Sequence, residues 1–120
     1  MKPTSSEMEI LQVLWKKEPC SVREVYESLN KKDIGYTAIL KLMQIMLEKK
    51  MLERDASART HIYKTIISEE KTQTSFLDKM IETVYNGSTS RLVMQALGNK
   101  RASKEEIDAI KEYLKTLENT

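Results

Sequence analysis

The chain has 120 residues, 40% of them hydrophobic and 32% charged, with a formal net charge of +2. That length suits one domain, or one small domain with an appendage, and is short for the multi-element pocket of most enzymes. No apolar run approaches the roughly 18 residues of a membrane span, and the one cysteine, Cys20, has neither a disulfide partner nor a CxxC neighbour.

The first residues carry no secretory apolar stretch and lead directly into a helix start. With its lone cysteine, the chain is expected in a reducing cytoplasm, away from membranes. Charge is unevenly placed. Residues 1–67 hold twelve Lys/Arg against nine Asp/Glu, and residues 68–120 hold eight against nine. The cationic first half leans toward a nucleic-acid partner.

In chain order, Ser6 and Glu9 have the spacing of a capping box, and Met8, Leu11, Leu14 and Trp15 then share one face, with Ile10 and Val13 beside it. Pro19 ends this helix. Ser21 and Glu24 open a second one, whose Val22, Val25, Tyr26 and Leu29 are spaced i, i+3, i+4, i+7. Residues 30–35 form a polar connector. The third helix is predicted over about 37–50, with Ile39, Leu42, Met43 and Met46 as its core stripe. Thr37, Lys41, Gln44 and Glu48 lie on the opposite side.

Residues 51–55 read as a strand, 56–59 as a turn and 60–67 as a second strand rich in β-branched residues. This hairpin is the only β signal. Helical periodicity resumes after Ser68 with a stripe of Phe76, Leu77, Met80, Ile81, Val84 and Tyr85, stopped by Asn86-Gly87. A short helix carries Leu92, Val93, Ala96 and Leu97, with Gly98 just past its end. Ser103 and Glu106 cap the last helix, where Ile107, Ile110, Leu114 and Leu117 step three, four, three.

Three helices and a hairpin, in that order, predict a winged helix-turn-helix: a mainly α fold with a small β-hairpin wing. The boundaries expected are a winged-helix DNA-binding domain at 1–67 and a three-helix dimerisation domain at 68–120. In such a fold the third helix enters the major groove and the wing touches the backbone or minor groove beside it.

Thr37, Lys41 and Gln44 are the candidates for base readout, against the plain alternative of a solvated helix face. Ser21 and Arg23 suit phosphate anchoring, Ser21 serving also as a cap. Arg54, Arg59 and His61 populate the hairpin, and Arg59, near the tip, is the best placed to meet DNA. Leu40, Ile45 and Leu47 widen the apolar arc of the third helix beyond what one core needs. They contact thymine methyls or pack on the wing or another partner, and packing is favoured.

His61, the sole histidine, has no second His or Cys at ligand spacing, so no metal site is expected. No cofactor and no catalytic residue is expected either, since there is no Gly-rich phosphate loop and no nucleophile–base motif. The apolar stripe at Phe76, Leu77, Met80, Ile81 and Val84, together with Leu92, Val93, Leu97, Ile107, Ile110, Leu114 and Leu117, exceeds what three short helices can hide. A second copy related by twofold symmetry would cover it, in preference to folding back on the winged domain.

Several segments carry a resemblance to a known family. They are Ser6-Glu7-Met8-Glu9-Ile10-Leu11 with the Leu14-Trp15 pair, Ser21-Val22-Arg23-Glu24-Val25-Tyr26, Tyr36-Thr37-Ala38-Ile39, Leu92-Val93-Met94-Gln95-Ala96-Leu97 and Ser103-Lys104-Glu105-Glu106-Ile107. In this order and spacing the chain resembles the penicillinase and methicillin-resistance repressors and the related copper-responsive repressors. The resemblance implies a homodimeric transcriptional repressor on a palindromic, double-stranded DNA operator. In the antibiotic branch it also implies a sensor protease whose action leads to cleavage near the C-terminus.

The chain departs from that pattern in places. Leu40 and Ile45 stand where relatives often carry arginine, Lys50 where they favour glycine, and Gln95-Ala96 where the resistance repressors have their cleaved bond. The cysteine cluster of the copper branch is missing. The rival expectation, motivated by Leu40, Ile45 and Leu47, is a winged-helix protein–protein interaction module without sequence-specific DNA binding.

Overall fold

The computed structural model describes residues 2–119. The chain divides into two compact units, Met1–Thr74 and Ser75–Thr120.

The first unit opens with α1 (Ser5–Lys17). Its capping box is Thr4 with Glu7, two residues before the Ser6–Glu9 pair expected from sequence. Thr4 Oγ1 accepts the Glu7 N–H at 3.2 Å, and Glu7 Oε1 accepts the Thr4 N–H at 2.9 Å. The buried face is correspondingly Glu7, Ile10, Leu11 and Leu14, while Met8, Val13 and Trp15 flank it, half-buried. A carboxylate takes an inward position because Lys49 reaches its second oxygen, Oε2, at 2.9 Å.

Helix α2 (Val22–Leu29) starts at the expected Ser21–Glu24 box and ends at Asn30, whose left-handed φ of 49° stops the helix. Helix α3 (Tyr36–Glu48) starts one residue earlier than expected, after Gly35, with no side-chain cap. It closes with Lys50 in the left-handed region, φ 63°, while the Met51 N–H reaches back to Met46 O at 2.9 Å.

Strands β1 (Leu52–Asp55) and β2 (Ile62–Thr65) pair antiparallel, with Leu52 opposite Thr65 and Arg54 opposite Tyr63. A one-residue bridge adds a third extended segment: Tyr63 N–H donates to Cys20 O at 2.8 Å, and Cys20 N–H to Tyr63 O at 3.1 Å. The hairpin is thereby hydrogen-bonded to the α1–α2 connection. Glu18 Oε1 accepts from both the backbone N–H and the hydroxyl of Thr65 at the end of β2.

One core serves all these elements. Ile10, Leu11 and Leu14 from α1 meet Val22 and Val25 from α2, and Ile39, Met43 and Met46 from α3. Cys20, Met51, Leu52 and Tyr63 close it from the strand side. Each fully buried aliphatic side chain contributes roughly 1.5–3 kcal/mol, so this cluster holds α1, α2, α3 and the hairpin together. The Trp15 indole N–H donates to Ile67 O at 3.2 Å and ties α1 to the segment after β2.

The unit boundary falls within α4 (Glu69–Thr83). The second unit continues with α5 (Thr89–Leu97), capped by Ser88, and α6 (Lys104–Glu118), opened by the expected Ser103–Glu106 box. Gly98 is extended, φ −75°, and the left-handed residues of this turn are Asn99 and Lys100. Three helices, an antiparallel hairpin and three further helices make this a winged-helix fold. Among the described residues no helix is long and apolar enough to cross a membrane.

Candidate nucleic-acid interface

The geometry of α3 decides which side chains can leave the protein. Ile39, Met43 and Met46 are buried, and Thr37, Lys41 and Gln44, on the opposite side of the helix, are exposed. The polar side is therefore presented as an uninterrupted strip along one helix, whose diameter fits a B-DNA major groove.

Beside the start of this strip lies a shallow groove of about 310 Å³, built by three elements. Ser21, Val22 and Arg23 come from the start of α2, Tyr36 and Leu40 from α3, and Arg59, Thr60, His61 and Tyr63 from the hairpin. Two arginines and a histidine line it, and no carboxylate does. Other clefts of the same unit differ: one is lined by Lys16, Lys17 and Glu69 among others, and another by Lys17, Glu24 and Glu27.

Within the groove Ser21 is buried, its hydroxyl oxygen accepting the Glu24 N–H at 3.1 Å, so its first task is the cap. Arg23 is exposed, with its guanidinium carbon 4.4 Å from the Tyr36 ring centre and 5.8 Å from that of Tyr26. The two tyrosines meet edge to face, 5.9 Å between centres. Arg59 and His61 are exposed on the wing loop. At the entry to that loop, side-chain and backbone hydrogen bonds from Ser57 hold the Asp55 carboxyl below the usual carboxylate range. Arg54, opposite Tyr63 in the register, is exposed but does not line the groove.

Leu40 packs partly against the core and also forms part of the groove wall. Ile45 and Leu47 are half-buried. Tyr26 and Tyr36 were not among the sequence-derived candidates. Arg23 and Tyr26 stand three apart on α2, a spacing that could have suggested their contact, but the approach of Tyr36 is tertiary and leaves no local signal.

Cys20 is buried, and that burial, with the Glu24 charge, pushes its thiol above the ordinary range, so it stays protonated near neutral pH. Among the described residues no three His, Cys, Asp or Glu side chains converge as metal ligands would.

The second unit has a different character. None of its described residues is buried. Phe76, Ile81, Leu92, Leu97, Ile107 and Ile110 are half-buried, while Leu77, Met80, Val84, Val93, Leu114 and Leu117 are exposed. Val84 is 68% exposed and Met94 73%. The Gln95-Ala96 peptide lies inside α5, where the Gln95 carbonyl accepts from the Arg101 guanidinium at 3.1 Å.

Residues 3–116 match the family described as penicillinase repressor. The penicillinase repressor of Bacillus licheniformis is 28% identical over 97% of this chain and 91% of its own length. The methicillin resistance regulatory protein MecI of Staphylococcus aureus (strain N315) is 22% identical over 92% and 91%. Among solved structures, the transcriptional repressor CouR bound to a 23-mer DNA duplex is similar with a TM-score of 0.54 at 16% identity, covering 97% of this chain and 75% of that one. A double mutant of Lactococcus lactis ZitR gives 0.50 at 22% identity, covering 99% and 75%. At these identities the structural likeness is one of fold.

Proposed function

Because the chain belongs to the penicillinase repressor family, we propose that it is a homodimeric transcriptional repressor that occupies a palindromic promoter operator. The observation that carries this reading is the carboxylate-free, arginine-lined groove beside the exposed Thr37–Lys41–Gln44 strip. Phosphate contacts position a protein on the duplex and base-edge contacts specify the sequence. Arg23, Arg59 and His61, with Ser21 at the α2 start and Arg54 on the hairpin, take the first task. Thr37, Lys41 and Gln44 take the second, from within the major groove.

In this reading residues 1–67 form the DNA-binding domain and residues 68–120 the dimerisation domain. The support is that no described residue after Thr74 is buried, although the unit is rich in Leu, Ile, Val and Met. A twofold partner would remove Leu77, Met80, Val84, Val93 and Leu114 from water. Two α3 helices held about one DNA turn apart would then read two half-sites. Repression is steric, by occupation of the promoter in the cytoplasm, until a signal passed on by a sensor or protease lowers operator affinity.

Selection of bound duplexes from a random library, with purified protein at physiological salt, tests the proposal. The expected result is an enriched palindrome whose binding weakens steeply as salt rises. Weak binding that is indifferent to sequence would overturn it and favour the protein-interaction module.

A further inference from the structure

Arg23 forms no ion pair among the described residues. Its partners among the described residues are two aromatic rings, Tyr36 at 4.4 Å and Tyr26 at 5.8 Å. A guanidinium resting on a ring uses its flat face and leaves its N–H edge open, and that edge is what clamps a phosphate. The stack therefore fixes the group without neutralising it. Its location fits the task, since Arg23 and Tyr36 line the same groove as Arg59 and His61. Tyr36 is also the first residue of α3, and Tyr26 touches it edge to face from α2. The rings thus lock the position of the guanidinium to the start of the helix that presents Thr37 and Lys41.

We propose that Tyr36 is a positioning residue for DNA binding: its ring, braced by Tyr26, pre-orients Arg23 so that the guanidinium edge takes one backbone phosphate. This rests on the DNA-binding reading above and adds to it a residue that touches no base.

The test is a set of variants measured against one selected duplex at fixed salt, with thermal unfolding midpoints recorded alongside. Tyr36→Phe keeps the ring and should keep the affinity. Arg23→Lys keeps the charge but loses the flat stack, and should weaken binding about two- to fivefold, the scale of an exposed cation–π contact. In a Tyr36→Leu background the same Arg23→Lys change should cost clearly less, because the nearer ring is gone and only Tyr26, at 5.8 Å, remains to distinguish the two cations.

An Arg23→Lys penalty that is undiminished in Tyr36→Leu, or a Tyr36→Phe protein that binds poorly, overturns the proposal and leaves DNA binding standing. An Arg23→Lys protein that binds as well as wild type overturns it also, and that variant sits on an exposed side chain outside the core. A wild-type protein that binds no duplex removes the DNA reading, and this inference with it.

Discussion

Lys49 Nζ lies 2.9 Å from Glu7 Oε2 and fastens the end of α3 to the first turn of α1. Glu7 is 2% exposed and Lys49 about one-third, so only one member of the pair is well screened by water. Burial pushes the Glu7 carboxyl up, but hydrogen bonds from Thr4 and Lys49 and the charge of Lys49 outweigh it, leaving the group below the ordinary glutamate value. Lys49→Met should destabilise the first unit by about 1–3 kcal/mol, the scale of a hydrogen bond to a charged group. Urea unfolding of the variant and of wild type measures it, and an unchanged midpoint would show that the pair contributes nothing.

The same carboxylate predicts a pH dependence. Its folded pKa lies below its unfolded one, so its contribution is fully present above the ordinary glutamate range near pH 4. Stability should then fall as pH drops through the depressed folded value. Glu7→Gln removes that titration, and its urea midpoint should vary less with pH below about 4.5 than that of wild type.

Lys50 holds a left-handed φ of 63° at the end of α3. An L-residue pays a steric penalty there that glycine does not, on the order of 1 kcal/mol. Lys50→Gly should therefore stabilise the protein by about 0.5–1 kcal/mol despite the added freedom of the unfolded chain. A raised urea midpoint with an unchanged slope is expected, and a lowered one would mean that the lysine side chain contributes more than its backbone costs.

For the proposed DNA face, Lys41→Ala and Arg59→Ala should behave differently. Losing a base contact costs about 1–3 kcal/mol, so Lys41→Ala should weaken the selected site about tenfold and relax its sequence preference. Arg59→Ala should weaken all duplexes alike and reduce the salt slope by about one. Neither change should alter the sedimentation of the free protein. If both leave affinity intact, the face has been placed on the wrong side of the unit.

Leu114 is half exposed on α6, in the apolar stripe that also carries Ile107, Ile110 and Leu117. If the proposed dimer closes through α6, Leu114→Lys should leave a monomer by sedimentation. It should lower operator affinity at least about a hundredfold, since each half-site is then held alone. A variant that remains dimeric would move the interface off α6.

Much of this architecture is legible in the order of residues. The 3.6-residue periodicity of α1, α2, α3 and α6, the Ser21–Glu24 and Ser103–Glu106 caps and the β-branched run in 60–67 each carry a local physical signal. What escaped was set by tertiary partners. Thr4–Glu7 and Ser6–Glu9 satisfy the same cap spacing, and burial of Glu7 against Lys49, forty-two residues away, goes with the first. The Cys20–Tyr63 bridge is one residue long and has no periodicity to detect. Gly35 caps α3 by its backbone alone, which hid Tyr36 from the helix and therefore from the site.

Trp15 is the chain's only tryptophan, and its indole N–H is held by Ile67 O inside the first unit. Emission excited at the red edge of its absorption thus comes from one of the two units alone, while the amide circular dichroism comes from both. If the units melt together the two signals coincide, and if they melt apart the indole signal isolates the first. The molecule therefore carries a built-in optical label for deciding whether unfolding is one transition or two.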